Sequence, residues 1–252
     1  MTQSGPDEKR QRLDNALVER GLAPSRARAR DAILRGHVTV DGKPADKPSL
    51  TVTPEADVAI NDPVADYVSR AALKLVAALD HFGYSAAGVA ALDIGASTGG
   101  FTEVLLRRGA RRVFGVDVGR GQLHQRLASD ARVVNLEGVN ARDLKVARVS
   151  EPVSAITADV SFISLKLALP PALALATDEA WGVFLVKPQF EVGRDHVGKG
   201  GIVRDRVVAR ASADGIAGWL AADMGWAVDG IIPSPIEGGD GNREYLVGAR
   251  RG

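Results

Sequence analysis

From Tyr67 onward, short apolar runs alternate with segments in which apolar residues recur at helical spacing. The apolar runs predict seven strands: 89–94, 113–118, 133–136, 155–158, 183–187, and two centred on 231–232 and 245–247. The helical spacing predicts helices over 69–82, 100–108, 122–128, 164–177 and 205–224. Continuous apolar strands separated by helices indicate a parallel sheet that is covered on both faces.

The connection between the last two predicted strands is too short for a crossover helix. It consists of the proline- and glycine-rich segment 233–242, so these two strands are expected to be antiparallel. A mostly parallel seven-stranded sheet with an antiparallel final strand is typical of a doubly wound, Rossmann-like α/β domain of the methyltransferase type. It is not typical of a plain dinucleotide-binding fold.

Residues 10–60 follow a different pattern, in which two short helices precede short strands. Apolar residues recur at helical spacing between Leu13 and Val18, and Ser25 is a suitable N-cap for a second helix that ends at Gly36. The dipeptide Asp41-Gly42 follows an apolar run and favours a tight hairpin turn. The segment therefore predicts a small α+β domain.

Prolines at positions 44, 48, 54 and 63 punctuate the chain after this hairpin and suggest a domain boundary near residues 61–66. The predicted organisation is a small N-terminal domain over 1–62, a linker over 63–68 and the α/β domain over 69–252. Residues 1–9 are expected to be disordered.

Composition narrows the kinds of site that the chain can build. Hydrophobic residues make up 45% and charged residues 25% of the 252 residues, the usual mix of a globular protein. The absence of cysteine excludes disulfides, thiolate metal sites and cysteine nucleophiles. None of the four histidines lies at metal-ligand spacing, so no metal site is expected. The chain also lacks an apolar signal region and a membrane-length apolar run, so a cytoplasmic protein without membrane contact is expected.

The net charge of +1 says little about partners, so the distribution of charge matters more. Residues 9–35 contain eight basic and three acidic side chains, but residues 1–60 contain ten basic and nine acidic ones. A local basic stripe of this kind fits either a nucleic-acid-binding surface or an ordinary solvated helix face. Charge alone leaves both interpretations open.

A glycine-rich turn with the sequence LDIGASTGGFT leaves the first predicted strand of the sheet at residues 92–102. Glycines at this place let the backbone approach a ligand at the carboxyl edge of the sheet. Asp117 ends the next strand, 22 residues after Gly95, where an acid can accept a hydrogen bond from a ribose hydroxyl. The spacing departs from G-x-G-x-x-G, which disfavours a pyrophosphate ligand. The spacing is compatible with a phosphate-free adenosine ligand such as S-adenosylmethionine, and also with a strand–helix turn that binds no ligand.

Residues 193–199 fit the phosphate-loop pattern G-x-x-x-x-G-K. The next residue is Gly200, so the hydroxyl that would hold magnesium is missing, and no helix is predicted to follow directly. A mobile glycine-rich lid over an active site fits this segment better. In such a lid Arg194, Lys199 and Arg204 could meet phosphates.

Four charged residues stand at or near the ends of predicted elements. Lys187 closes one predicted strand, Asp159 follows another, Lys74 lies on the first helix of the α/β domain, and Glu244 begins the last strand. Each of them alone is commonly an ordinary ion-pairing residue. Together they would place two lysines and two carboxylates where ligands bind in such sheets. Clustered lysines lower one another's pKa, which makes one of them a usable base.

These segments, in this order, resemble the TlyA family of ribosomal RNA 2′-O-methyltransferases, whose members are often labelled hemolysins. The N-terminal part resembles an S4-type RNA-binding domain, with matching motifs at 12–14, 21–22, 25–29, 36–38, 40–42 and 47–48. The rest resembles an FtsJ-like catalytic domain, with matching motifs at 68–75, 93–102, 117–119, 140–142, 159–164, 187–191 and 241–245.

The resemblance implies methyl transfer from S-adenosylmethionine to a ribose 2′-hydroxyl, usually of cytidine, in the ribosomal RNA of one or both subunits. The family's Lys-Asp-Lys-Glu catalytic set falls on Lys74, Asp159, Lys187 and Glu244. The residues expected to bind the cofactor are Gly95, Ala96, Ser97, Gly99, Gly100, Phe101, Asp117, Val118, Asn140 and Asp159. RNA contacts are expected from Arg10, Arg12, Arg26, Arg28, Arg30, Arg35, Arg70, Arg194, Lys199 and Arg204.

In the mechanism that the resemblance implies, Lys187 takes or directs the proton of the hydroxyl. Lys74 lowers the pKa of Lys187 and stabilises the developing alkoxide. Asp159 orients Lys187, and Glu244 holds the second lysine or the ribose. Two alternatives stay open: an RNA-binding protein with a non-catalytic methyltransferase-like fold, and an NAD-dependent oxidoreductase. The complete set of four charged residues disfavours the non-catalytic protein, and the missing second glycine of the G-x-G-x-x-G pattern disfavours the oxidoreductase.

Overall fold

The computed structural model describes residues 10–252, so the predicted disorder of residues 1–9 lies outside the described residues. The chain divides into two compact units, with the boundary between Asp66 and Tyr67. Each unit has its own apolar core.

The N-terminal unit consists of two helices and five short strands. The helices are α1 (Leu13–Glu19) and α2 (Arg26–Leu34), and the strands are β1 (Gln11–Arg12), β2 (Val38–Val40), β3 (Lys43–Pro44), β4 (Thr51–Val52) and β5 (Val58–Ile60). Strand β2 is central to an antiparallel sheet in the order β3-β2-β5, and β1 pairs with β4. The hydroxyl of Ser25 accepts the backbone N–H of Arg28, which confirms the predicted N-cap. Asp41 and Gly42 have φ angles of 50° and 74° and form the predicted hairpin turn.

The second unit is built around a seven-stranded sheet. Its strands are β6 (Ala90–Ile94), β7 (Arg112–Asp117), β8 (Val133–Glu137), β9 (Val153–Ala158), β10 (Ala176–Val186), β11 (Trp226–Pro233) and β12 (Tyr245–Arg251). The order across the sheet is β11-β12-β10-β9-β6-β7-β8, and β12 pairs antiparallel with both of its neighbours while the other pairings are parallel. The predicted fold class and the antiparallel final strand are therefore confirmed.

The helices of this unit pack on both faces of the sheet. They are α3 (Ala72–Phe82), α4 (Gly100–Arg107), α5 (Gln125–Ala128), α6 (Leu165–Ala168), α7 (Pro170–Leu173), α8 (Pro188–Glu191) and α9 (Arg206–Ala222). Alternate strand residues enter two different cores: Leu92 and Phe184 lie in one, and Ala91 and Val183 in the other. Because successive residues point to opposite faces, both faces of the sheet are covered by the two cores. The carboxyl ends of the strands are therefore the place where loops can build a site.

The prediction of one helix over 164–177 is wrong. The adjacent prolines Pro170 and Pro171 lack backbone N–H donors, and the chain forms the two short helices α6 and α7 instead. Strand β10 then begins at Ala176, which pairs with Val153. Its exposed start contains Asp178 and Glu179, so no apolar run marks it in the sequence.

Candidate active site

The glycine-rich turn connects β6 to α4 at the carboxyl edge of the sheet. Gly95 has a φ of 82°, and a Cβ there would lie 2.3 Å from the carbonyl oxygen of Asp159, so only glycine fits. Ser97 also adopts a left-handed conformation, with a φ of 46°. The carboxylate of Asp117 accepts the N–H groups of Ser97 (2.8 Å) and Gly119 (2.7 Å) and so holds this turn against the end of β7.

Asp93 braces the same turn from inside the protein. Its buried carboxylate accepts hydrogen bonds from the hydroxyls of Thr102 (2.7 Å) and Thr157 (2.9 Å), which join β6 to α4 and β9. Burial raises the pKa of Asp93 to about 6. The acid of the Leu-Asp-Ile-Gly segment therefore has a structural role beneath the site.

Two adjoining cavities open above this turn. The larger, of about 760 Å³, extends from Asp117 and Asn140 to Asp159, and the smaller, of about 190 Å³, extends to Lys187. Both are lined by Gly95, Ser97, Asp159 and Ser161. An elongated ligand could therefore occupy both, with one end at the Asp117 carboxylate and the other beside Lys187.

The predicted cofactor residues are distributed over these two cavities. Val118 and Asn140 line the larger one, and Ala96, Gly100 and Phe101 line the smaller one. Gly99 lines neither cavity. A Cβ at Gly99 would lie 2.2 Å from the Cδ1 atom of Leu127, so this glycine permits close packing instead.

The four charged residues form two ion pairs. The ammonium of Lys187 lies 2.7 Å from Oδ1 of Asp159 and donates a 2.8 Å hydrogen bond to the hydroxyl of Ser161. The ammonium of Lys74 donates a 2.5 Å hydrogen bond to Oε2 of Glu244. The Lys187 pair lines the smaller cavity, whereas the Lys74 pair is almost completely buried.

Electrostatics link the two pairs. Burial raises the pKa of Glu244, while the nearby charges of Lys74 and Lys187 act in the opposite direction, and Asp159 adds to the increase. Glu244 therefore interacts with all three other members. The structure brings together the four residues that the sequence singled out separately.

An aromatic rim that was not predicted from the sequence borders the larger cavity. Phe162 is 91% exposed with a φ of 65°, and its ring centroid lies 5.2 Å from that of Phe190. Both rings line the larger cavity. The signal available in the sequence was an apolar aromatic residue in a loop directly after a strand end, where a polar residue is usual.

Glu191 was also overlooked. Its half-buried carboxylate accepts hydrogen bonds from the Ser164 hydroxyl (2.6 Å) and the Leu165 N–H (2.8 Å), and burial raises its pKa. These bonds join helix α8, which follows Lys187, to the N-terminus of α6, which lies a few residues after Asp159. Glu191 therefore fixes the spacing of the two segments that follow the half-buried Lys187–Asp159 pair.

The predicted RNA-binding arginines of the N-terminal unit have different surroundings. Arg12 and Arg26 pair with the buried Asp14, whose pKa falls to about 2 mainly because of the hydrogen bonds from Arg12. Arg35 is largely buried and pairs with Asp31 and Asp62. The guanidinium of Arg28 donates to the carbonyl of Val64 (2.6 Å), and Arg10 and Arg30 are exposed.

The remaining predicted RNA contacts lie on the second unit. Arg70 is half-buried, and Arg194, Lys199 and Arg204 are exposed. Residues 193–199 contain one 3₁₀ turn (Arg194–His196), and the chain continues through a further turn and an irregular stretch to Asp205, the N-cap of α9. This segment does not have the strand–loop–helix form of a phosphate-binding loop.

Two other kinds of feature are absent from the described part of the chain. Among residues 10–252, no group of three or more His, Asp or Glu side chains could hold a metal ion. No helix of this part is long and apolar enough to cross a membrane.

Comparisons with known proteins match both units. The family model of the FtsJ-like methyltransferases matches residues 67–251, and that of the S4 domain matches residues 11–58. The chain is 46% identical over 243 residues to the 16S/23S rRNA (cytidine-2′-O)-methyltransferase TlyA of Mycobacterium tuberculosis, covering 96% of this chain and 90% of that relative. It is 38% identical to hemolysin A of Brachyspira hyodysenteriae, covering 94% of this chain and 98% of the relative. A solved Streptococcus thermophilus protein of the hemolysin class is 38% identical, with a TM-score of 0.74 over 97% of this chain and 89% of that one.

Proposed function

The chain belongs to the FtsJ-like methyltransferase family, and on that premise we propose that it transfers a methyl group from S-adenosylmethionine to the 2′-hydroxyl of a cytidine in ribosomal RNA. The observation that carries the proposal is the pair of lysine–carboxylate contacts beside the two cavities at the strand ends. The matches to the family model and to the relative from Mycobacterium tuberculosis confirm the family that the sequence motifs predict. A ribosomal RNA substrate also supports a cytoplasmic location.

The residues around the cavities fit S-adenosylmethionine. Asp117 can accept hydrogen bonds from ribose hydroxyls, and Asn140 and Val118 line the same end of the larger cavity. The smaller cavity, beside Asp159 and Lys187, suits the methionine end. When bound, S-adenosylmethionine supplies an electrophilic methyl group on a positively charged sulfur.

Lys187 manages the proton of the substrate hydroxyl in this proposal. The hydroxyl must lose its proton as its oxygen becomes a nucleophile, and Lys187, which lines the smaller cavity, is the group placed to take or direct that proton. Asp159 and Ser161 hold the Lys187 Nζ atom at 2.7 and 2.8 Å, so its position is set before substrate arrives. Preorganisation of this kind is a large part of what enzymes contribute.

Lys74 and Glu244 form the second part of the site. The Lys74 ammonium is held by Glu244 and provides a fixed positive charge for the developing alkoxide. Because the pair is buried, its field is weakly screened by water.

The exposed ring of Phe162 supports a nucleotide as the substrate. Aromatic faces stack on bases of single-stranded or unpaired RNA, and the Phe162–Phe190 pair stands at the rim of the larger cavity. The exposed cations at Arg194, Lys199 and Arg204, together with the S4 unit, would hold the RNA backbone. These contacts would give affinity, whereas the aromatic rim would receive the target base.

Single-turnover methyl transfer at saturating RNA tests the assignment of Lys187. We expect Lys187→Ala to bind cofactor and RNA normally and to lose about 10²–10⁴-fold in the chemical step, the typical contribution of general acid–base assistance. Lys187→Arg should not restore the rate, because a guanidinium does not give up its proton near neutral pH.

Lys199→Ala is the matched control, since it removes an exposed lysine that should contribute to RNA affinity alone. A wild-type chemical step in either Lys187 variant would show that another group takes the proton. A protein that binds S-adenosylmethionine and RNA without any methyl transfer would support the non-catalytic alternative. Binding of NAD in place of S-adenosylmethionine would support an oxidoreductase.

A further inference from the structure

A tight turn leads into Glu244 and packs directly on its side chain. The turn covers 238–242 and is closed by hydrogen bonds from the Gly238 N–H to the Asn242 carbonyl (2.9 Å) and from the Gly241 N–H to the Gly238 carbonyl (3.0 Å). A Cβ at Gly238 would lie 2.8 Å from Oε1 of Glu244. The position of the Glu244 carboxylate therefore depends on how this turn is held.

Asn242 holds the turn from inside. Asn242 is 1% exposed as a whole residue, and its side-chain amide nitrogen donates to the carbonyl of Gly201 and to Oδ2 of Asp240, both at 2.9 Å. Its amide oxygen accepts the N–H of Val203, also at 2.9 Å. Buried amides with all three of these bonds made are rigid, because any rotation leaves a polar group without a partner.

Asp240 extends the network toward the other half of the site. Its carboxylate accepts the N–H of Asn242 (3.0 Å) and the side-chain amide of Gln189 (3.0 Å). Gln189 lies two residues after Lys187 in the chain. One hydrogen-bonded network thus reaches the segments that carry Glu244 and Lys187.

The same bonds anchor the glycine-rich segment 198–203, which overlaps the end of the mobile lid predicted over 193–199. The Gly198 N–H donates to the Ile202 carbonyl (2.9 Å), and Asn242 holds both Gly201 and Val203. Lys199 and Gly200, at the tip between these anchored residues, are exposed.

We infer that Asn242 is a positioning residue that locks the glycine-rich segment 198–203 to the turn 238–242 and thereby sets the Glu244 carboxylate against Lys74. The inference rests on the proposed function, in which the Lys74–Glu244 pair takes part in methyl transfer. It assigns to the glycine-rich segment the task of supporting the catalytic set, in addition to any contact of Lys199 with RNA.

The first test compares Asn242→Ala and Asn242→Asp with wild type in single-turnover methyl transfer. Both variants remove the donor to Gly201, and we expect the chemical step to fall by about tenfold to a hundredfold, the usual effect of misplacing a catalytic group. The affinity for S-adenosylmethionine should stay unchanged, and saturating RNA keeps any change in RNA binding through Lys199 out of the measured rate. Tyr84→Phe is the control, because it removes the 2.5 Å hydrogen bond to Asp229 without touching this network. The Tyr84 variant should lose stability and keep the wild-type rate.

A double-mutant cycle distinguishes positioning from a general loss of structure. Glu244→Asp retracts the carboxylate and keeps its charge, so Asn242 should have little left to position in that background. We expect the double variant Asn242→Ala/Glu244→Asp to be about as slow as Glu244→Asp alone. Multiplicative losses, or an Asn242→Ala variant with the wild-type chemical step, would overturn the inference.

Hydrogen exchange keeps the inference testable apart from catalysis. In Asn242→Ala, peptides covering 198–204 and 238–244 should both lose protection, and the rest of the second unit should not. Loss of protection in only one of the two segments would refute the lock. If wild type itself transfers no methyl group, the proposed function fails, whereas the exchange result still decides whether Asn242 joins the two segments.

Discussion

The buried Lys74–Glu244 pair makes a quantitative prediction about stability. Only 8% and 2% of these side chains are exposed, and their charged atoms are 2.5 Å apart. Removing one partner of such a pair leaves an uncompensated buried charge and costs about 3–5 kcal/mol, whereas replacing both partners by apolar residues is often neutral or stabilising. We therefore expect Lys74→Met and Glu244→Leu each to destabilise the second unit strongly, and the double variant to recover most of the loss.

The two single variants should differ in how much stability they lose, because the charged residue that remains keeps different partners in each. After Lys74→Met, Glu244 still interacts with Lys187, and its burial-raised pKa allows it to take up a proton. After Glu244→Leu, Lys74 has lost the carboxylate that holds it. Glu244→Leu should therefore be the more destabilising change, and acidification should moderate the cost of Lys74→Met only.

Urea unfolding at 25 °C followed by tryptophan fluorescence measures these differences, because all three tryptophans (181, 219 and 226) lie in the second unit. The matched control is the exposed pair Arg210–Asp214, with 49% and 55% of the side chains exposed. Its removal should change the free energy of unfolding by less than about 1 kcal/mol. The double variant at positions 74 and 244 should be folded but inactive. Additive losses in that variant, or single losses as small as the control, would refute the reasoning.

Three further predictions follow from other parts of the molecule. Asp93→Asn should flatten the pH dependence of stability, because the raised pKa of about 6 means that protonation of Asp93 favours the folded state. This contribution is fully present below about pH 4 and is lost as the pH rises through 6. A variant whose melting temperature changes with pH as steeply as that of wild type between pH 4 and 7 would contradict the prediction. Asp117→Ala should weaken binding of S-adenosylmethionine by about 1–3 kcal/mol in calorimetry, and unchanged affinity would place the cofactor elsewhere. Removing residues 1–66 should leave a folded unit, because the cores are separate, with lower affinity for ribosomal RNA and a shallower salt dependence. An equal salt slope in the shortened protein would mean that the basic stripe is only a solvated face.

Much of the architecture is local information, and the sequence determined it. Strand β6 reads as an apolar run, Ser25 as a cap and Asp41-Gly42 as a hairpin because each depends on residues a few positions apart. The motifs also identified the family, since their order along the chain is independent of how they meet in space. The prediction of one helix over 164–177 is wrong because two prolines interrupt the helix and the following strand begins with polar residues.

Only the tertiary structure decided which charged groups are partners. Lys74 and Glu244 are 170 positions apart in the chain, and they meet because β12 inserts antiparallel beside β10 in the sheet. Burial, which shifts the pKa of Asp93 and Glu244, also arises only when distant segments exclude water together. Asn242 looks like an ordinary turn residue in the sequence and becomes a lock because Gly201 and Val203 are packed against it. Residue types and their spacing follow from the order of the chain, whereas ion pairing, desolvation and hydrogen-bond completion depend on distances that long-range packing alone sets.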